Sequence, residues 1–524
     1  MPPIEFGLIN MSYEAIGVKM TSLLFRSQRA IYLSASFAFL IIPFTSIVQA
    51  EGLKSAASSL QSAPTPSKKS AQIKSGTAPR KGVEITITRK AKVVDLLSIY
   101  DEMVQTNSGL AAAASARDAA QEREGNAYYG FAPQVGATLQ GERNRQRVIS
   151  TDNPVYQKGT GTYNNRQGAV EVVQPIFDYR IFAQLHAAEA ARRREESQFA
   201  ATRQLTTFRL VQAYLVALAA ADSLRLSQAQ EKALSMSAAQ VREKMKNGLA
   251  NEADASEVQV RYERSKAEAI NAVAAIAQAF SGLERLIGTP VRSIVPLKST
   301  FPLGKPQPEK VEAWTAASRR SNPELMTLDA RVDEFDAAYR QALGELMPRI
   351  DMRLSYNNLD VGGSLYGGGA HTDEAMGMVR LTVPIFNPGG GGYRHRAAKI
   401  DIDTARLSRQ DRSMEIEDQV RSAYIQALSN ASRSRTLAKV ASEQSNVTAA
   451  FRQRFADGMI TLTDALDSES DNFRAQRELL KARYDYLLSM MQLKLLSGVL
   501  SRQDVVYLNS LLDPKKRPVA VVEF

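Results

Sequence analysis

Residues 383–394, VPIFNPGGGGYR, contain four consecutive glycines, the composition of a loop whose uncovered N–H groups cradle a phosphate. That chemistry needs Lys followed by Ser or Thr directly after the glycines, and Tyr393 and Arg394 stand there instead. Metal chemistry has little to build on either. The chain holds three histidines, His186, His371 and His395, well separated, and no cysteine. Thiol catalysis, zinc–thiolate sites, disulfides and a lipid-modified cysteine are thereby excluded, and no histidine-based metal site is expected. No nucleophile motif carries a partnered base. The sequence therefore predicts no enzyme, no cofactor and no metal.

The elements around the glycine run explain it better. A chain of 524 residues with 44% hydrophobic content, only 7% aromatic and one tryptophan has the composition of long helices packed through small side chains. The net charge of +11 does not argue for nucleic acid, because residues 1–92 hold twelve Lys/Arg against four Asp/Glu and the remainder is nearly balanced. Arg26 and Arg29 precede the apolar run IYLSASFAFLII, and Val48 and Ala50 place small side chains where a signal peptidase reads. Residues 1–50 read as a signal peptide, with translation starting at Met1, Met11 or Met20. The apolar run is shorter than the roughly twenty residues of a spanning helix. Residues 51–92 read as a flexible basic linker with little to bury.

From Val93 onward the sequence repeats itself. TNSGL at 106–110 returns as SNPEL at 321–325, and FAPQVGATL at 131–139 as LMPRIDMRL at 346–354. QPIFD at 174–178 returns as VPIFN at 383–387, and NGLANEADA at 247–255 as DGMITLTDA at 457–465. Constant order at an offset of about 210 residues indicates two copies of one unit: residues 93–290 and 309–502, with a connection at 291–308 and a tail at 503–524. In each copy a run free of proline and glycine, 176–247 and 393–457, predicts a helix of roughly 100 Å at 1.5 Å per residue. Gly248 and Gly458 then turn the chain into a second helix, ending near Gly288 and Gly498. Helices that long must lie against partner helices as a coiled coil.

Ahead of each long helix the period changes to two. Ile350, Met352, Leu354 and Tyr356 alternate with Arg349, Asp351, Arg353 and Ser355, and weaker alternation marks QVGATLQG, GAVEVVQP and MVRLTVP. One polar and one apolar face suits a strand between water and lipid. The segments NRQRVISTDNPVYQKGTGTYNNRQG and DVGGSLYGGGAHTDEA read as loops. The expected fold class is mainly α with β: long helical hairpins plus four strands. Four strands cannot close a barrel, and an open edge cannot face lipid, so several chains must share one.

In this order, the signal, the strand pairs ending in QPIFD and VPIFN, the long helices, the NGL and DGM turns and the closing ARYDYLLSMMQLKLLSG resemble the TolC family of outer-membrane channel proteins across residues 93–502. The resemblance implies a homotrimer with a shared 12-stranded β-barrel in outer-membrane lipid and an α-helical tunnel in the periplasm. It also implies docking to a periplasmic adaptor and an inner-membrane ABC or proton-driven transporter, as the exit duct for type I protein secretion or multidrug efflux. Pro175 and Pro384 would mark the strand-to-helix junctions, in the first helical turn where a missing N–H does no harm.

The same resemblance implies two functional sites. Family members narrow the periplasmic entrance with aspartates after the second turn; Asp464 and Asp467 match those positions, and Asp254 matches the partner position in the first half. Three-residue spacing puts Asp464 and Asp467 on one helix face, so threefold symmetry would make rings of like charge. Thr461-x-x-Asp464 and Asn251-x-x-Asp254 also have helix-cap spacing, so gate and cap both stand for Asp464, whereas Asp467 lies too deep to cap. Phe455, Ile460 and Ala253 depart from the family's tyrosine, arginine and threonine, which removes hydrogen-bonding groups from closure of that type. Gly248, Leu249, Gly458 and Met459 match the tips presented to the adaptor; a C-cap glycine with a small apolar contact is the other reading. A different class of protein, a periplasmic coiled-coil adaptor or structural protein outside the membrane, would leave two matched strand pairs without a purpose.

Overall fold

The computed structural model describes residues 93–520 apart from 153, 155–157, 249–250, 364–366 and 386–391. The expected signal peptide and linker, Leu249 and the glycines before Gly392 lie outside the described residues. Helices α1 (Leu96–Thr106) and α2 (Ser108–Tyr128) lead into strands β1 (Gln134–Val148) and β2 (Gly159–Phe177), then α3 (Tyr179–Lys246) and α4 (Glu252–Ile287). After the two-residue strand β3 (Ser293–Ile294) the order returns: α5 (Val311–Ser321), α6 (Pro323–Gly344), β4 (Arg349–Val361), β5 (Ala370–Thr382), α7 (Tyr393–Ala456) and α8 (Leu462–Leu496). Helix α9 (Arg502–Ser510) and strand β6 (Val519–Ala520) follow.

Helices α3 and α7 run for 68 and 64 residues, about 100 Å each. Each turns back on a shorter partner, α3 on α4 and α7 on α8, while α6 packs against both long helices. The two halves are built alike at atomic detail. Asn107 caps α2 through Leu110 N at 2.9 Å and donates its Nδ2 to Leu286 O at 2.8 Å. Asn322 caps α6 through Glu324 N at 2.8 Å and donates its Nδ2 to Leu496 O, also at 2.8 Å. In both copies one asparagine thus joins the start of one helix to the unpaired carbonyls ending another. Gly288 and Gly498 follow those ends at φ +80° and +72°, the left-handed conformation that stops a helix.

The main core sits midway along the hairpins. Leu210, Val211, Tyr214 and Leu218 of α3 meet Ile276, Phe280 and Leu283 of α4, with Leu96, Ile99 and Met103 of α1 and Leu487 and Met491 of α8. Tyr214 is fully buried and donates to Val295 O at 2.8 Å, satisfying a hydroxyl that would otherwise cost one to several kcal/mol. The tail returns here: β6 pairs antiparallel with β3, and Asn509 Nδ2 donates to Asp95 Oδ2 at 3.0 Å.

The four long strands form one antiparallel sheet in the order β1-β2-β4-β5. They are longer than the alternating segments alone predict. Residues 144–148 and 159–168, which read as loop, pair across β1 and β2 up to Val148–Gly159, and β4 and β5 pair up to Val361–Ala370. Beyond lipid a strand needs no apolar face, so its sequence keeps a polar composition while the backbone ladder continues.

Pro175 and Pro384 both fall on the strand side of the junction rather than in a helical turn. Pro175 lies in β2, paired with Asp351, where the register slips before Phe177–Ile350; a bulge beyond the end of β1 accepts its missing N–H. Pro384 follows the end of β5, and α7 begins only at Tyr393. Asp178, not proline, starts α3, accepting from Arg180 N at 2.9 Å and Arg180 Nε at 3.0 Å.

Candidate functional site

The two hairpin tips are built by the same backbone device. Gly458 adopts φ +74°; its N–H reaches Phe455 O at 3.1 Å, and Met459 N–H reaches Arg454 O at 2.9 Å. These two bonds form a Schellman closure of α7. Gly248 makes the first of these bonds in the other tip, at φ +71° with its N–H on Met245 O at 3.0 Å. The glycines therefore do cap the helices, and the geometry leaves Met459 73% exposed.

Behind the second tip Asp464 completes a capping box. Thr461 Oγ1 accepts from Asp464 N at 3.2 Å, while Asp464 Oδ2 accepts from Thr461 N at 3.2 Å and Thr461 Oγ1 at 2.6 Å. Asp254 occupies the matching position of α4, its N–H donating to Asn251 Oδ1 at 2.7 Å. Asp467, one turn on, faces the other hairpin: Arg261 Nη1 donates to its Oδ1 at 2.7 Å. Arg261 also holds Glu257 Oε1 through Nη2 at 2.7 Å, and Glu257 Oε2 accepts from Thr463 Oγ1 at 3.0 Å. Burial disfavours the guanidinium charge, but hydrogen bonds to Asp467 and Glu257 outweigh it and hold the Arg261 pKa above its ordinary value.

The structure thus joins Asp467 to a network that sequence reasoning missed, while Asp464 bonds back to Thr461. Arg261, Glu257 and Thr463 link α4 to α8; Arg452 Nη2 and Glu469 Oε1, 2.6 Å apart, link α7 to α8; and Lys244 Nζ stands 4.9 Å from the Phe455 ring centre, linking α3 to α7. The only sequence signal was the Glu257-x-x-x-Arg261 spacing of a helical ion pair. Beneath the network a small core of Leu234, Ala238, Val241, Val258 and Leu466 seals the hairpins together. The histidines serve elsewhere: His186 approaches Glu189 at 3.4 Å, His371 approaches Asn358 at 3.3 Å, and the His395 ring lies 5.4 Å from that of Tyr339.

At the other end of the long helices the sheet has two unlike faces. Residues paired across antiparallel strands share a face. The rows Val135–Val172–Leu354–Gly377 and Ala137–Val170–Tyr356–Ala375 are apolar, and Met352–Val379 and Ile350–Leu381 extend them. The alternate rows, Gly136–Glu171–Ser355–Met376 and Asp351–Arg380 among them, are more polar, and Arg353 Nη1 meets Glu171 Oε1 at 3.1 Å. Val135, Leu139, Val379 and Leu381 are exposed on the apolar face, which suits lipid outside a polar lumen.

A sheet with one lipid face and one wet face, leading directly into 100 Å helices, defines a membrane channel with a helical extension. The family model described as "Outer membrane efflux protein" matches residues 99–289 and 314–499, and the chain belongs to that family. It is 27% identical over 345 residues to the alkaline protease secretion protein AprF of Pseudomonas aeruginosa, covering 66% of this chain and 72% of that protein. It is 26% identical over 432 residues to the outer membrane protein TolC of Escherichia coli, covering 80% and 85% of the two chains. The CmeC outer membrane channel of Campylobacter jejuni shares the fold at a TM-score of 0.66 and 15% identity, over 84% of this chain and 98% of that one. The four-stranded sheet is accordingly a third of a shared trimeric barrel in the outer membrane, and the hairpins form a tunnel in the periplasm. The protein is an export channel rather than a periplasmic adaptor.

Proposed function

We propose that three copies of this chain form the exit duct of a tripartite export system, with the hairpin tips docking to a periplasmic adaptor and, through it, to an inner-membrane transporter. The observation that carries trimerisation is an unpartnered apolar seam. Tyr393, Ile400, Leu407 and Met414 recur every seven residues along α7 and are 58–82% exposed in the protomer, the spacing with which one long helix meets another. A second copy supplies that partner. Type I secretion is the favoured branch, since AprF and PrtF are named for protease secretion; multidrug efflux is the second reading, since SrpC and TtgI are named for solvent and toluene efflux. The duct works by enclosing its cargo and performs no catalysis.

In this reading Gly248, Leu249, Gly458 and Met459 are the adaptor-facing tips, supported by the exposure of Met459. Asp464, Asp467 and Asp254 stand at the tunnel entrance, where Asp464 combines capping with the inner ring of charge. The residue ranges given above for the signal peptide, linker, two repeats, connection and tail are the proposed organisation of the chain. Met459→Glu tests the docking face without touching the turn geometry. Losing one interface anchor worth ~2 kcal/mol weakens adaptor binding roughly 30-fold, so export should fall sharply while the trimer persists. Normal export with unchanged adaptor crosslinking would remove the tip from the interface.

A further inference from the structure

Beside the main core, well away from both the barrel and the tips, a small cavity of about 110 Å³ is lined by four cations, Arg225, Lys298, Arg483 and Lys516. Asp222 is the one carboxylate in its described lining, and it is already engaged: Arg225 Nη2 lies 3.1 Å from its Oδ1, and Tyr484 donates its hydroxyl to Oδ2 at 2.7 Å. Among the described residues the remaining cations donate hydrogen bonds only to neutral acceptors, although the Asp222 charge also acts on Arg483. Arg483 Nη1 donates to Ser299 O at 2.7 Å. Lys516 Nζ donates to Leu297 O at 3.1 Å and to Ser299 Oγ at 2.7 Å. Lys298 Nζ donates to Ser510 O at 2.7 Å. Arg483 thus has guanidinium N–H groups left over, and Ser299 Oγ–H is free to donate toward the cavity.

We propose that this cavity binds a small oxyanion of the phosphate or carboxylate class, held by Arg483, Lys516 and the Ser299 hydroxyl. Charge-assisted hydrogen bonds from a planar guanidinium and an ammonium are the chemistry that recognises such oxygens. Half-burial pushes the Arg483 pKa below its ordinary value, a cost that an adjacent anion relieves. The geometry also says what binding would do. Arg483 sits on α8, Ser299 on the connection between the repeats and Lys516 on the tail, so one anion ties three distant segments into a clasp beside Asp222 of α3. Asp222 lies 43 residues beyond Tyr179 along α3, about 65 Å from the sheet. A lipid headgroup is therefore not the source, and the anion comes from the periplasm.

The test uses the purified full-length trimer in detergent, with inorganic phosphate and acetate titrated separately at constant ionic strength made up with chloride. Saturable heat of binding and a rise in Tm are expected with phosphate, with acetate or with both; whichever acts identifies the oxyanion. Lys516→Met and the conservative Arg483→Lys should each weaken binding at least tenfold. Arg517→Gln, whose side chain does not line the cavity, should bind as the parent does. No saturable binding of either anion, or equal binding by the parent, Lys516→Met and Arg483→Lys trimers, would overturn the proposal. The channel's export activity does not enter the readout, so failure here leaves the export reading untouched.

Discussion

Arg261→Gln removes the charge that joins the two hairpins while keeping a side chain of similar reach. In the protomer it breaks the 2.7 Å contact to Asp467 and the 2.7 Å contact to Glu257. Asp467 is 61% exposed, so solvent screens the pair and it is worth ~0.2–1 kcal/mol. Threefold symmetry multiplies that small number. If opening the entrance breaks all three copies, the closed state loses ~0.6–3 kcal/mol, a change of roughly 3- to 150-fold in the ratio of open to closed. A second effect has its own sign. Each substitution unmasks two carboxylates, Asp467 and Glu257, so block by divalent cations should deepen in the same channels that open more often.

Single-channel recording in planar bilayers reads both quantities at once. Asp467→Asn is the diagnostic partner, since it breaks the same link and should also favour opening, but it removes the carboxylate and so must weaken cation block. Arg477→Gln, which loses contacts to Gln230 and Glu268 further along the hairpins, serves as the control and should leave block unchanged. Identical conductance and block in the Arg261→Gln and parent channels would refute the gate. Equal deepening of block by Arg261→Gln and Asp467→Asn would refute the charge argument.

Two further substitutions test the frame that holds the hairpins. A Cβ on Gly498 would lie 2.4 Å from Ser321 O and 2.5 Å from Asn322 Cα, at φ +72°, so Gly498→Ala should cost about 2–5 kcal/mol from left-handed strain and overpacking; protease resistance and trimer yield should drop, and an unchanged yield would contradict the close approach. Asp178→Ala removes the α3 cap and should cost ~0.5–2 kcal/mol. Its pH dependence is also fixed: the hydrogen bond from Arg180 holds the Asp178 pKa below its ordinary value, so this stabilisation is present above the unfolded aspartate pKa of about 4 and is lost as pH falls through the depressed folded value. The difference in Tm between parent and variant should therefore shrink on acidification, and a constant difference would contradict the pairing.

Much of the architecture was legible because it is written in local rules. The absence of proline and glycine over 176–247 dictates one long helix, and Gly248 and Gly458 at the tips, with Gly288 and Gly498 at the far ends, stop helices where no other residue does so cheaply. The alternation in Ile350–Tyr356 gives a strand with one lipid face. Where both faces are wet, as in the upper parts of β1 and β2, period two carries no hydrophobic signal and a polar strand looks like a loop. Pro175 was misplaced for a related reason: a bulge beyond the end of a neighbouring strand tolerates proline as well as a first helical turn does. The candidate site was legible in its acids but not in its partners. Asp464 and its cap lie three residues apart, whereas Arg261 and Asp467 are 206 residues apart, and only packing of the hairpins brings them into contact. The return of the tail onto the connection at Ile294–Val519 is equally silent in sequence.

The central claim, that three chains close one barrel, has a direct test in the sheet order. Strands β1 and β5 are the two free edges of the protomer, so in a shared barrel β1 of each chain must lie beside β5 of the next. The chain contains no cysteine, which leaves a clean background for crosslinking. Thr138→Cys in β1, combined in turn with Met376→Cys, Met378→Cys or Arg380→Cys in β5, scans the register between neighbours. The account predicts that oxidation of the membrane-embedded protein gives a ladder on denaturing gels ending at three chains, strongest at one register and reversed by reductant. Failure of every pairing to crosslink, or a ladder passing beyond three chains, would contradict it.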